Sequence, residues 1–77
     1  MKGYNMTHSL LDGCSTLKLE TYHAAHMSDV YRLVLHANGS FKVHIERRES
    51  FGAVSECILY EGKDLEAANR VFNRYAK

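Results

Sequence analysis

The sequence predicts an α+β fold, a three- to four-stranded antiparallel sheet with one C-terminal helix packed on one of its faces. Three observations carry this. From Thr16 onward, apolar and polar residues alternate with period two through four separate segments. Between the second and third segments lies Asn38-Gly39, the strongest short-range hairpin signal in the chain. After Asp64 the spacing of apolar residues changes to that of a helix. The 77 residues allow one domain. It is taken as 15–77, with 1–14 as a polar N-terminal lead-in and a candidate flexible segment.

The first strand is Thr16–Tyr22, with Leu17 and Leu19 on one side and Lys18 and Glu20 on the other. His23–Asp29 reads as a connection of unassigned shape. Val30–His36 is the second strand, rich in Val, Leu and Tyr. Phe41–Arg48 is the third, with Phe41, Val43 and Ile45 on one face, and Val54–Glu61 is the fourth, with Val54, Ile58 and Tyr60 as its larger apolar members.

The loop between strands two and three decides the register. A two-residue turn on Asn38-Gly39 pairs His36 with Phe41 and splits the apolar residues between two faces. A three-residue loop, Ala37-Asn38-Gly39, with Gly39 left-handed, pairs Leu35 with Phe41, Leu33 with Val43 and Tyr31 with Ile45. All six then share one face. A slip of one residue turns a strand's whole side-chain set over, so burial selects the three-residue loop.

The last element is a helix capped by Asp64. Leu65, Ala68, Phe72 and Tyr75 form its apolar stripe, flanked by Val71. The expected core runs from Leu17 and Leu19 through Tyr31, Leu33, Leu35, Phe41, Val43 and Ile45 to Val54 and Ile58, closed by the helix stripe.

Composition excludes several functions. Ten Lys+Arg against nine Asp+Glu give a net charge of +1, which does not describe a strongly basic nucleic-acid module or a polybasic membrane binder. No apolar run approaches the roughly 20 residues of a membrane-spanning helix, and the first eleven residues hold no signal-peptide core. A soluble, cytoplasmic protein is expected. Cys14 and Cys57 allow a single disulfide, but the intracellular reading favours two thiols. The five glycines form no phosphate-cradling loop, and there is no G-x-S-x-G turn. The reading is therefore not an enzyme and no cofactor. Of the five histidines, His23 and His26 lie three apart, and Cys14 could join them. A structural zinc site needs four ligands, usually in two close pairs, so no metal is expected.

The sheet face opposite the helix is the candidate surface. It carries Val30, Arg32, Val34 and His36 from one strand and Lys42, His44, Glu46 and Arg48 from the next. Arg47, Glu49 and Ser50 continue toward Phe51-Gly52. An aromatic residue beside glycine in a charged loop is either a plug for the core or an exposed anchor. The partner-binding candidates are Arg32, Lys42, His44, Arg47, Arg48 and Phe51. The plainer alternative is a solvated face whose charges keep the sheet soluble. The expected function is a small non-enzymatic binding protein that docks onto a protein, of the inhibitor or adaptor type. Phage or mobile-element inhibitors of host defence such as anti-CRISPR proteins share this size and plainness. A monomer and a homodimer are both compatible.

The stretch VYRLVLHANGSFKVHIERRESFGAV, the strand after it, and DLEAANRVFNRYAK together resemble the WGR domain, a small module of poly(ADP-ribose) polymerases and short bacterial proteins. The likeness spans about fifty residues from Met27 onward. In that family a Tyr-led strand and a second strand lead into a Trp-Gly-Arg loop, followed by a further strand and a C-terminal helix. Here Arg48-Glu49-Ser50-Phe51-Gly52 stands in place of that loop, and only Gly52 matches, at the family's following glycine. The resemblance implies nucleic-acid binding as the alternative function, with Arg32, Lys42, Arg47 and Arg48 on phosphates.

Overall fold

In the computed structural model, which describes residues 10–76, four strands and a helix follow one another along the chain. They are β1 (Cys14–His23), β2 (Met27–His36), β3 (Phe41–Glu49), β4 (Val54–Gly62) and α1 (Leu65–Tyr75). The strands form one antiparallel sheet in the order β1-β2-β3-β4, and α1 lies against β2, β3 and β4. This is the expected α+β architecture. Residues 1–9 of the lead-in are outside the described residues. The connection expected over His23–Asp29 is shorter, because β2 begins at Met27. The turn is closed by the Ala24 N–H donating to the Met27 carbonyl at 2.8 Å.

The β2–β3 loop has three residues. Leu35 faces Phe41, Leu33 faces Val43 and Tyr31 faces Ile45. Gly39 has φ 92°, a left-handed conformation that a side chain disfavours. Its N–H donates to the His36 carbonyl at 2.9 Å, and the His36 N–H donates to the Ser40 carbonyl at 2.8 Å. The Asn38 side-chain oxygen accepts from the Ser40 N–H at 2.9 Å and from its hydroxyl at 2.7 Å. Local hydrogen bonds therefore lock the register that burial favours.

The core lies between α1 and the middle of the sheet. Tyr31, Leu33 and Val43 pack against Ala68 and Phe72, with Phe41, Ile45, Leu59, Tyr60 and Val71 around them. Asp64 caps the helix, its carboxylate accepting from the N–H groups of Glu66 at 3.0 Å and Ala67 at 3.3 Å. A cap of this kind is worth about 1 kcal/mol.

Two bulges correct the expected core. In β1 the pairing skips Leu17, so Thr16 faces Val34 while Lys18 faces Leu33. Lys18 and Glu20 consequently share the helix side, and Leu19 falls on the opposite face, across from Arg32. Leu17 is 48% exposed and Leu19 52% exposed, outside the core in which they were expected. Lys18 takes the leucines' place at the core margin. Its ammonium donates to Asn69 Oδ1 at 2.8 Å and stands 5.7 Å from the centroid of the Phe72 ring.

In β4 the pairing skips Leu59: Val43 faces Tyr60, but His44 faces Ile58. Tyr60 thus reaches the core while Ile58 and Val54 belong to the other face, and Val54 is exposed. Leu65 and Tyr75 sit at the ends of the helix, where the sheet no longer covers them, and are exposed.

These placements separate two substitutions that the sequence reading treats alike, as core positions. Phe72→Ala removes a buried ring and is expected to cost about 3–5 kcal/mol in urea denaturation. Leu19→Ser is expected to stay within about 0.5 kcal/mol. A large loss at Leu19 that does not depend on protein concentration would put that residue in the core after all.

Candidate functional site

The face away from α1 carries a ladder of paired charges. Glu46, on β3, is 1% exposed. Its Oε1 accepts from Arg32 Nη1 at 3.0 Å and its Oε2 from Arg48 Nε at 2.8 Å. Arg32 reaches it diagonally from β2, and Arg48 from two residues along the same strand. Beside it, His44 is 0% exposed, with Nε2 at 2.7 Å from Glu56 Oε1. The carboxylate can only accept, so Nε2 carries the proton. His44 Nδ1 has no partner among the described residues. Glu46 and Glu56 face each other directly, and each carboxylate is engaged by a different hydrogen-bond donor, Arg32 and Arg48 for Glu46 and His44 for Glu56. Lys42 faces Glu61, with 4.0 Å between Nζ and Oε2.

The face is therefore not the open docking surface that its alternation suggested. His44 and Glu46 are buried, as is Val34. The physical reason is pairing. On central strands a long charged side chain has neighbours on both sides and lies along the sheet to meet an opposite charge. Arg47 is separated from the others. It projects on the helix side, where Nε and Nη2 donate to the two oxygens of Asp29 at 2.7 and 2.9 Å. That pair is a fork matched to a carboxylate.

The electrostatics follow from these contacts. The Arg47 hydrogen bonds hold the Asp29 carboxyl below the usual aspartate range, against the opposing effect of burial. Burial pushes Glu46 upward, but the bonds from Arg32 and Arg48 outweigh it and leave the carboxyl below its ordinary value. Burial, then the adjacent Asp29 charge, raises the Tyr31 phenol.

Phe51 stands apart from the ladder, at the end of the sheet where the β1–β2 and β3–β4 turns meet. It is 78% exposed, which rules out a core plug. Its turn is well fixed: the Gly52 N–H donates to Glu49, the Glu49 N–H to Ala53, and the Ser50 N–H to His26 across the two turns, each at 2.9 Å. Gly52 has φ 104°, the left-handed conformation that the turn requires. Met27 and Val54, on the adjoining strand ends, are exposed as well. Between the turns lies a shallow groove of about 270 Å³, lined by His23, His26, Met27, Arg48 and Ser50 among others.

The cysteines and histidines are dispersed. Cys14 and Cys57 are free thiols on opposite edge strands. Three strand spacings, about 14 Å, separate those edges, against the roughly 7 Å limit between Cα atoms of a disulfide. Cys14 and His23 are the two ends of ten-residue β1, which keeps Cys14 away from the His23–His26 pair. Among the described residues no group of three or more His, Cys, Asp or Glu is placed to hold a metal, and no helix is long and apolar enough to cross a membrane. A second groove, of about 300 Å³, is lined by Ile45, Arg47, Ser55, Glu56 and Cys57. Its charged groups are already engaged, Arg47 with Asp29 and Glu56 with His44.

Comparison with known proteins finds no matching family model, no matching curated protein and no matching solved structure.

Sequence reasoning placed Arg32, Lys42, His44 and Arg48 on one face but missed their counter-ions as part of the site. The signal was present. The register that pairs Leu33 with Val43 also sets Asp29 opposite Arg47 and Glu46 diagonal to Arg32.

The ion pairs on the two faces predict a defined acid sensitivity. Asp29 and Glu46 titrate lower in the folded than in the unfolded chain, so the unfolded chain takes up protons first as pH falls. Their stabilisation is complete above the unfolded values and is lost from about pH 5 downward. Urea denaturation at pH 7 and pH 4 checks this. Glu46→Gln is expected to cost about 2–3 kcal/mol at pH 7 and to flatten the acid limb. Arg48→Ala, removing a half-exposed partner, is expected to cost less than about 1 kcal/mol.

Proposed function

We propose that this chain is a non-catalytic binding protein that docks onto a protein partner, as an inhibitor or adaptor, through the sheet end that carries Phe51. The observation that carries this reading is an aromatic ring, 78% exposed, on a turn held by three backbone hydrogen bonds. An exposed phenylalanine gives the free monomer nothing that a polar residue would not, whereas a fixed aromatic side chain is a typical source of binding energy. Because the turn is already ordered, little conformational entropy is lost on docking. Exposed Met27 and Val54 flank this end on opposite faces of the sheet, and Arg48, half-exposed with one guanidinium edge on Glu46, supplies a charged rim.

A protein fits this end better than a nucleic acid. Arg32, Lys42, Arg47 and Arg48 each lie within 4.0 Å of a carboxylate. A phosphate would have to displace those carboxylates, so the group offers little free positive charge.

Affinity capture from host-cell lysate, scored by mass spectrometry, tests the reading with wild type and Phe51→Ala side by side. The ring's removal is expected to leave stability within about 0.5 kcal/mol and to weaken retention of a specific protein by about thirtyfold, or 2 kcal/mol. Retention that ignores Phe51 would overturn the proposal. Binding of a fluorescent DNA or RNA duplex that falls steeply between 50 and 200 mM salt would favour the WGR-like alternative instead.

A further inference from the structure

We propose that the chain pairs with a second copy of itself through the outer edge of β1, in a register that places Leu19 on the two-fold axis. Among the described residues β1 is an edge strand, bonded to β2 on one side only. Nine of its backbone positions are matched to β2, and its other edge offers a row of donors and acceptors to a further strand.

The sequence of β1 decides what that strand is. In an antiparallel pair around a two-fold axis, the residue on the axis faces its own copy and its neighbours face each other's. With Leu19 on the axis, Leu19 meets Leu19 on the face away from α1. On the helix side Lys18 then meets Glu20 of the other copy, and Glu20 meets Lys18. Two opposite-charge pairs and one apolar pair form together.

Neighbouring registers lose this. An axis at Lys18 opposes two ammonium groups, and one at Glu20 opposes two carboxylates. An axis at Thr21 carries Lys18 past the end of the partner strand and separates the leucines. Lys18 keeps its bond to Asn69 in the favoured register, because an ammonium has three donors and Asn69 uses one.

The other edge lacks this property. β4 (Val54–Gly62) carries two glutamates and no lysine or arginine, so copies of β4 facing each other have no opposite charge. A lysine normally blunts an exposed edge by demanding solvent or an anion. In β1 the anion is two residues away, where the symmetric copy presents it. The half-exposed Leu17 and Leu19 are otherwise unexplained apolar surface at that edge.

Sedimentation of the full chain over rising concentration tests the proposal. Wild type is expected to shift toward twice the 8.8 kDa monomer mass, and Glu20→Lys to weaken association at least about tenfold. Lys18→Glu combined with Glu20→Lys, which restores both pairs with reversed sign, is expected to recover it. The register has a second readout that does not depend on the Lys18 variant's folding. With Cys14 and Cys57 replaced by serine, Leu19→Cys is expected to oxidise to a covalent dimer and Thr21→Cys to stay monomeric. A monomer at every concentration, a dimer indifferent to Glu20→Lys, or cross-linking at position 21 rather than 19 would each overturn the proposal. None of these outcomes touches the Phe51 end.

Discussion

Gly39 takes a left-handed conformation at the third position of the β2–β3 loop, and that one backbone choice propagates through the sheet. It sets Leu33 against Val43 and Tyr31 against Ile45, which gives α1 a continuous apolar floor. The same register brings Asp29 level with Arg47 and puts Glu46 within reach of Arg32. A slip of one residue would turn the leucines outward and bury unpaired charge in the same step. Core packing and charge pairing therefore enforce each other. The glycine and the Asn38–Ser40 hydrogen bonds specify the same register locally.

The parts of the fold that depend on alternation and loop chemistry were legible in the sequence: four strands, the three-residue loop, the Asp64 cap and the helix stripe. Leu17, Leu19 and Ile58 were misplaced because each lies in or beyond a bulge, Leu17 in β1 and Leu59 in β4. A bulge leaves a strand's composition unchanged while shifting its parity, so Leu17 and Leu19 alternate correctly along the chain and still miss the core. The candidate site was legible as membership of a face but not as burial. Alternation tells which side a residue takes. It does not tell that Arg32 and Arg48 converge on one carboxylate and leave His44 and Glu46 with almost no exposed surface.

The net charge of +1 has a structural counterpart. Five basic side chains on β2 and β3, His44 included, are each matched to an acid: Arg32 and Arg48 to Glu46, Lys42 to Glu61, His44 to Glu56 and Arg47 to Asp29. On these two strands the positive charge is balanced by local pairing. A strand pair neutralised in this way contributes little to a long-range field. The two proposed surfaces, the Phe51 turn and the β1 edge, lie outside this paired set.

Those two surfaces lie at different limits of the sheet. The Phe51 turn joins β3 to β4, while β1 is the far edge, separated from β4 by the two central strands. A two-fold axis perpendicular to the sheet at Leu19 would continue four strands into eight and point the two Phe51 turns in opposite directions. Neither surface would cover the other. A partner holding two such sites at matching distance would be engaged twice, and the second contact would form at the high effective concentration set by the rigid sheet between them. A partner with one site would gain nothing from the dimer. The spacing between the two Phe51 turns, fixed by strand length and by the strand spacings across the sheet and not by a flexible linker, would then select partners by geometry as well as by contact chemistry.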